Sequence, residues 1–168
     1  MLRNFIHTLI VKTNLPTYLI RDITRTVDSK FRSFFHKNPV MPYLESHLTD
    51  HCNLNCAGCS HFSPLSSQNY VSIEQYKKDI QRLAKLFANI RRIRLMGGEP
   101  LLHPTPESFI TATRAAFSKS HIKFVTNGIL LPQASAAFFK ACREANTVID
   151  LTVYPPLGKT CWGNSSFM

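Results

Sequence analysis

The sequence CNLNCAGC at residues 52–59 places Cys52, Cys56 and Cys59 in a C-x3-C-x2-C spacing on one short segment. The residues before it, Tyr43 to Thr49, predict an extended strand that leads into this segment. A cubane iron–sulfur cluster is usually coordinated by four cysteines, so coordination by three leaves one iron with an open position. The stretch therefore predicts a metal site on the loop after a strand, with room for a further ligand at the metal.

The same cysteines are compatible with other roles. Cysteine often behaves as a small buried apolar residue, and zinc is an alternative metal, with His51 or His61 as the fourth ligand. Structural zinc usually takes its ligands in two separated pairs, whereas the two remaining cysteines, Cys142 and Cys161, are far apart in the sequence. A disulfide is not expected, because the chain has five cysteines, an odd number, and no clear secretory signal.

Two further motifs follow predicted strands. Gly-Gly-Glu-Pro comes at residues 97–100, after a strand over 92–96, and Thr-Asn-Gly comes at residues 126–128, at the end of a strand over 121–126. Taken alone, the first is typical of a strand-to-helix turn and the second of a simple turn. Parallel strands place their carboxyl ends at the same edge of a sheet, so both motifs are expected beside the cysteine loop.

The rest of the pattern alternates helices and strands. Ser72-Ile73-Glu74-Gln75 is typical of a capping box at the start of a helix. Further helices are predicted from Thr105 to about Phe117 and over 132–145, and a fourth strand over 148–153. The order β-α-β-α-β-α-β predicts an α/β fold with a parallel sheet. Arg92 and Arg94 share one face of the second strand, which is compatible either with a polar barrel lumen or with a strand that is less deeply buried than its neighbours.

The cysteine loop, the Gly-Gly-Glu-Pro motif and the Thr-Asn-Gly motif, in this order, resemble the radical S-adenosylmethionine (radical SAM) superfamily. The resemblance covers Tyr43 to about Pro156 and implies that Cys52, Cys56 and Cys59 hold a [4Fe–4S] cluster. It also implies that the cofactor S-adenosylmethionine is bound by Gly97, Gly98, Glu99, Pro100, Thr126 and Asn127.

In the family that the chain resembles, one electron from the reduced cluster cleaves S-adenosylmethionine to methionine and a 5′-deoxyadenosyl radical. That radical takes a hydrogen atom from a substrate, which the sequence does not identify. A one-electron reductant similar to flavodoxin or ferredoxin is the expected partner. The resemblance places Thr152 and Tyr154 near the ribose, with an ordinary strand end as the alternative. His61, Ser63, Pro64 and His103 are candidates for the substrate pocket, with solvated loop residues as the alternative. The alternative is a non-catalytic iron–sulfur or zinc-binding module.

Two features depart from the family pattern. The residue before the third cysteine is Gly58, where many members have an aromatic residue. The family fold resembles a six-stranded partial barrel, and this chain predicts about four of those strands. The expectation is a partial radical SAM core over 43–156, with an irregular tail over 157–168, as in a truncated member.

Charge and composition bound the remaining possibilities. The net charge is +10, and residues 1–42 form a basic extension that is expected to be helical. This extension is predicted to pack against the main domain, with an anionic partner such as a membrane surface as the alternative. No apolar run approaches the roughly 18 residues of a transmembrane helix, and a cytoplasmic protein is expected.

Overall fold

The fold was taken from a computed structural model, which describes residues 26, 38–56 and 58–153. The chain divides into two compact units, Met1–Pro39 and Val40–Met168. Most of the predicted basic extension, Tyr154 and the tail with Cys161 lie outside the described residues. Within the described residues, no helix is long and apolar enough to cross a membrane.

Four parallel strands form the main sheet and confirm the predicted α/β fold. They are β2 (Leu44–His47), β4 (Arg92–Met96), β5 (His121–Thr126) and β6 (Val148–Leu151), in the spatial order β2-β4-β5-β6. Each strand therefore lies beside the one that precedes it in this series, as expected for successive β/α units. Two short strands that the sequence did not predict, β1 (Val40–Met41) and β3 (Asn89–Ile90), form a separate parallel pair.

Three helices, α1 (Ile73–Leu86), α2 (Pro106–Ala116) and α3 (Ala136–Glu144), connect the main strands. Side chains alternate between the two faces of each strand. The apolar residues of the helices pack against the face that carries the apolar strand residues. The large core side chains with the least exposure are Leu48, Ile90, Ile93, Leu95, Phe109, Ile110, Ile122, Phe124 and Phe138.

Two helix starts differ in detail from the sequence prediction. At α1, the Ser72 hydroxyl accepts the Gln75 amide N–H (3.3 Å), but the Gln75 side chain donates to Asp79 instead of returning to Ser72. Only half of the capping box therefore forms. The third helix begins at Ala136 rather than near 132, because Leu131–Gln133 form a 3-10 turn and the Ser135 hydroxyl caps α3.

The second face of the sheet carries charged side chains, among them Arg94. Arg94 lies opposite Glu45 in the parallel register and its Nη1 is 3.1 Å from a carboxylate oxygen of Glu45. On the far strands, Lys123 Nζ is 2.8 Å from an oxygen of Asp150. Charged pairs thus lie on the face opposite to the helix-packed core.

Candidate metal and cofactor site

A cavity of about 900 Å³ lies at the carboxyl ends of the main strands. Its walls are formed by the cysteine loop, by the ends of β4, β5 and β6, and by the polar face of the sheet. The lining residues that the sequence singled out are Cys52, Cys56, Gly58, Cys59, His61, Ser63, Arg94, Gly97, Gly98, Thr126, Asn127 and Thr152. The three thiols that were predicted as metal ligands therefore share one cavity with four of the residues predicted to bind S-adenosylmethionine.

Backbone hydrogen bonds join the start of the cysteine loop to the Gly-Gly loop. The amide of Gly98 donates to the carbonyl of Thr49 (2.9 Å), and that of Glu99 donates to the carbonyl of His51 (3.0 Å). This approach leaves no room for side chains. A Cβ on Gly97, where φ is +141°, would lie 2.1 Å from the Thr49 oxygen, and one on Gly98 would lie 2.0 Å from the His51 oxygen. Both glycines are therefore required by the close contact of the two loops.

The Glu99 carboxylate lies beneath this loop and not at the cavity surface. It is fully buried. One oxygen accepts the Thr126 hydroxyl (2.7 Å) and the Leu101 amide (3.0 Å), and the other accepts the Asn127 amide (2.8 Å). Burial raises the pKa of Glu99, and these hydrogen bonds act in the opposite direction. The structure thus shows Glu99 as a link between the two glycine-containing loops, whereas its predicted contact with the cofactor stays a prediction.

Asn127 connects the third motif to the cysteines. Its side-chain amide donates to the Asn53 side chain (2.8 Å) and is 3.8 Å from the sulfur of Cys52. Its side-chain oxygen accepts the backbone amide of Ile129 (3.0 Å), which fixes the direction of the side chain. Asn127 therefore reaches from the end of β5 to the first cysteine of the loop.

The cysteine thiols differ in electrostatic environment. Burial raises the pKa of Cys52, against a hydrogen bond from the Leu54 amide. At Cys59 burial is the largest single effect and raises the pKa, but hydrogen bonds from the loop that follows, including the amides of Ser63 and His61, together exceed it, so the pKa is lowered. Cys142 lies in α3 and is buried, which raises its pKa to about 11. The thiolate form, which binds metals, is thus favoured at Cys59 and disfavoured at Cys142.

The remaining candidates divide between the cavity and the core. Thr152 lines the cavity and its amide donates to the Thr126 carbonyl (3.0 Å), while Pro100 is buried in a 3-10 turn. His103 does not belong to this cavity. It is buried, its Nε2 is 3.0 Å from the Val71 carbonyl oxygen, and its Nδ1 accepts the Thr105 amide. His103 therefore lies outside the cavity that holds the cysteines, and both of its ring nitrogens contact neighbouring backbone.

The sequence analysis missed Glu45, Met96 and Val125, which also line the cavity. Glu45 and Met96 lie on strands that were predicted, and strict alternation along those strands places them on the polar face with Arg94. The strand pattern therefore indicated that Glu45 and Met96 share a face with Arg94. It did not indicate that the cavity extends along the sheet as far as these residues.

The model of the Radical SAM superfamily matches residues 46–154 of this chain. Among curated proteins, a GTP 3′,8-cyclase of Corynebacterium glutamicum is 36% identical over 107 residues, covering 58% of this chain and 28% of that enzyme. A GTP 3′,8-cyclase of Clostridium acetobutylicum is 34% identical over 111 residues, covering 64% of this chain and 34% of the enzyme. The chain thus spans about a third or less of the length of these relatives.

Solved structures show the same fold. The structure of anSMEcpe with bound AdoMet has a TM-score of 0.54 at 21% identity, covering 70% of this chain and 33% of that one. Streptococcus suis SuiB bound to S-adenosylmethionine has a TM-score of 0.50 at 16% identity, covering 78% of this chain and 29% of that one. At this identity the likeness concerns the arrangement of strands and helices.

Proposed function

Because this chain belongs to the radical SAM superfamily, we propose that it binds a [4Fe–4S] cluster and S-adenosylmethionine as the core of a radical enzyme. The observation that carries the proposal is the shared cavity, in which Cys52, Cys56 and Cys59 face the same space as the Gly-Gly and Thr-Asn motifs. A donor set of three thiols suits a cluster with one metal position left for a further ligand.

The residues of this chain have separate tasks in the proposal. Cys52, Cys56 and Cys59 hold the cluster, and Gly97 and Gly98 let the backbone approach the cofactor closely. Thr126 and Asn127 contribute polar groups at the opposite wall. Glu99 and Pro100 lie beneath the cavity surface and stabilise the conformation of the loop after β4. When bound, the cluster and S-adenosylmethionine supply reductive cleavage and a radical that abstracts hydrogen.

The residues that line the cavity also indicate which kind of substrate group fits there. Its polar floor, with Glu45 and Arg94, is suited to polar groups of a substrate rather than to an apolar one. A one-electron reductant of the flavodoxin or ferredoxin type in the cytoplasm is the partner that this chemistry requires. The substrate itself is not specified by these residues.

The proposal is tested by metal analysis of single cysteine variants. We expect the parent chain, reconstituted without oxygen, to bind iron and sulfide, and Cys56→Ala to lose most of both. Cys142→Ala is the matched control, because that thiol lies in α3 outside the cavity lining, and it should bind iron like the parent. Normal iron content in Cys56→Ala contradicts the proposal, as does zinc without sulfide in the parent.

Turnover is tested separately. The reconstituted parent is mixed with S-adenosylmethionine and a chemical reductant, and 5′-deoxyadenosine is measured. Its formation supports a radical enzyme. A stable iron–sulfur cluster without any 5′-deoxyadenosine would instead identify a non-catalytic cluster-binding module.

A further inference from the structure

Three side chains of types that bind metals, Glu45, His47 and His61, lie close together at the polar face of the sheet, and His61 follows Cys59 by two residues. Glu45 and His47 are two residues apart on β2 and so point to the same face. His61 comes from the loop that follows the third cysteine. One ligand atom of each of the three lies within 4.8 Å of the others. The rings of His47 and His61 meet edge to face, with centroids 4.9 Å apart.

Neighbouring groups hold each of these side chains in place. One oxygen of Glu45 accepts Arg94 Nη1 (3.1 Å) and the Tyr43 hydroxyl, which leaves its second oxygen to bind a cation. Nδ1 of His47 is 3.8 Å from Asp50, and Nδ1 of His61 is 3.4 Å from the Ser60 hydroxyl. In each histidine Nδ1 thus faces a neighbour in the chain, and we therefore assign Nε2 as the metal ligand. Such outer partners are typical of metal-binding histidines and carboxylates.

The chemistry of this donor set selects the kind of cation. Two imidazoles and one carboxylate suit zinc, ferrous iron or cobalt, whereas magnesium and calcium prefer oxygen ligands. Arg94 offsets the charge of Glu45, which further disfavours cations that depend on several carboxylates. Bonds of about 2.0–2.2 Å place tetrahedral ligands about 3.4 Å apart. The ligand atoms, which lie within 4.8 Å of one another, must therefore move closer together by up to about 1.4 Å on binding. The side chains of Glu45 and His61 are exposed, which permits this movement.

We propose that Glu45, His47 and His61 form a site for one divalent cation of the zinc class, separate from the cysteine loop. Three protein ligands leave a coordination position open, as in zinc sites that bind a substrate. Glu45 and His61 both line the large cavity, so the open position faces the space in which a substrate would lie. A cation held there binds an oxygen of that molecule, such as a hydroxyl or a carboxylate. This site does not rest on the function proposed above.

The test uses the full chain with Cys52, Cys56 and Cys59 all changed to Ser, so that neither a cluster nor thiolate-bound metal contributes. Cobalt is titrated without oxygen and followed by its visible absorption, and zinc binding is measured by calorimetry. We expect one equivalent of metal to bind. His61→Ala and Glu45→Gln, each added to this background, should weaken binding at least about 10-fold.

His121→Ala is the matched control, because His121 is an exposed histidine at the start of β5 and lies outside the group of three. It should bind cobalt like the background chain. Circular dichroism and urea unfolding establish that each variant is folded, and Glu45→Gln, which preserves side-chain shape, serves where His61→Ala fails that check. Equal affinities in all three variants, or no saturable cobalt binding in the background chain, would overturn the proposed site.

Discussion

At the scale of single residues, Glu99 shows how a motif residue acts through its neighbours. Its carboxylate accepts hydrogen bonds from the backbone or side chains of three residues, Leu101, Thr126 and Asn127, and is fully buried. These bonds join the loop after β4 to the loop after β5. A buried acceptor with satisfied donors fixes the geometry of both loops, since leaving any of those donors unpaired is costly.

We expect Glu99→Gln to lower the free energy of unfolding by about 1–3 kcal/mol, because the new amide NH2 faces the Asn127 N–H and cannot accept its hydrogen bond. Urea unfolding at neutral pH measures the loss. Glu144→Gln is the control, because Glu144 is exposed and makes a loose surface ion pair with Lys140, at 3.9 Å. A Glu99→Gln protein as stable as the Glu144→Gln protein would show that the carboxylate does not hold the two loops together.

At the scale of elements, the junction between β2 and β4 positions the cysteine loop. The two strands pair from Leu44 with Ile93 to His47 with Met96, and the pairing continues beyond their ends through the Gly98 and Glu99 amides. The cysteine loop thus begins where the chain is already fixed by a neighbouring strand. Rigid elements of this kind hold functional groups more accurately than free loops do.

Gly98→Ala should separate these two loops, because the added Cβ would lie 2.0 Å from a backbone oxygen that has little freedom to move. We expect a loss of more than about 2 kcal/mol in the free energy of unfolding and reduced iron content after reconstitution. The matched control is Gly58→Ala, at a glycine of the same cysteine loop with no other atoms within 4 Å of the added Cβ. Similar unfolding curves for the two variants would contradict the close contact.

At the scale of the whole molecule, the sheet separates an apolar core on one face from a charged face that borders the cavity. The charged pairs Glu45–Arg94 and Lys123–Asp150 lie on this second face, across all four strands of the main sheet. The Lys123 hydrogen bond lowers the pKa of Asp150, although burial slightly opposes it. This carboxylate therefore adds stability above its ordinary pKa, and the contribution is lost as the pH falls through its lowered pKa.

We expect Lys123→Met to raise the pKa of Asp150 toward its ordinary value of 3.8, because the favourable hydrogen bond and charge are both removed. A carboxyl NMR titration measures the shift directly. At neutral pH the loss of stability should be at most about 1 kcal/mol, since both side chains are about one-third exposed and surface ion pairs are weak. An unchanged Asp150 pKa would mean that the two groups are not paired in solution.

The sequence by itself determined the order of the main strands and helices, and its prediction that Cys52, Cys56 and Cys59 bind a metal stays a prediction. Alternation predicted β4 and β5 to the residue, and cysteine spacing together with the two glycine motifs predicted the superfamily, because these are local patterns. Helix starts were less well predicted: Leu131–Gln133 form a 3-10 turn where Pro132 suggested the start of a helix, and Ser135 caps α3 instead.

Only the tertiary structure decided which side chains meet. The fold buries Glu99 under two loops, packs His103 into the core and brings Glu45 and His47 close to His61. Each of these contacts joins residues that are distant in the sequence. No local pattern encodes such contacts, since they follow from strand register and from the close approach of backbones at the sheet edge. The chain specifies its elements through short-range periodicity, whereas the site arises from the packing of those elements.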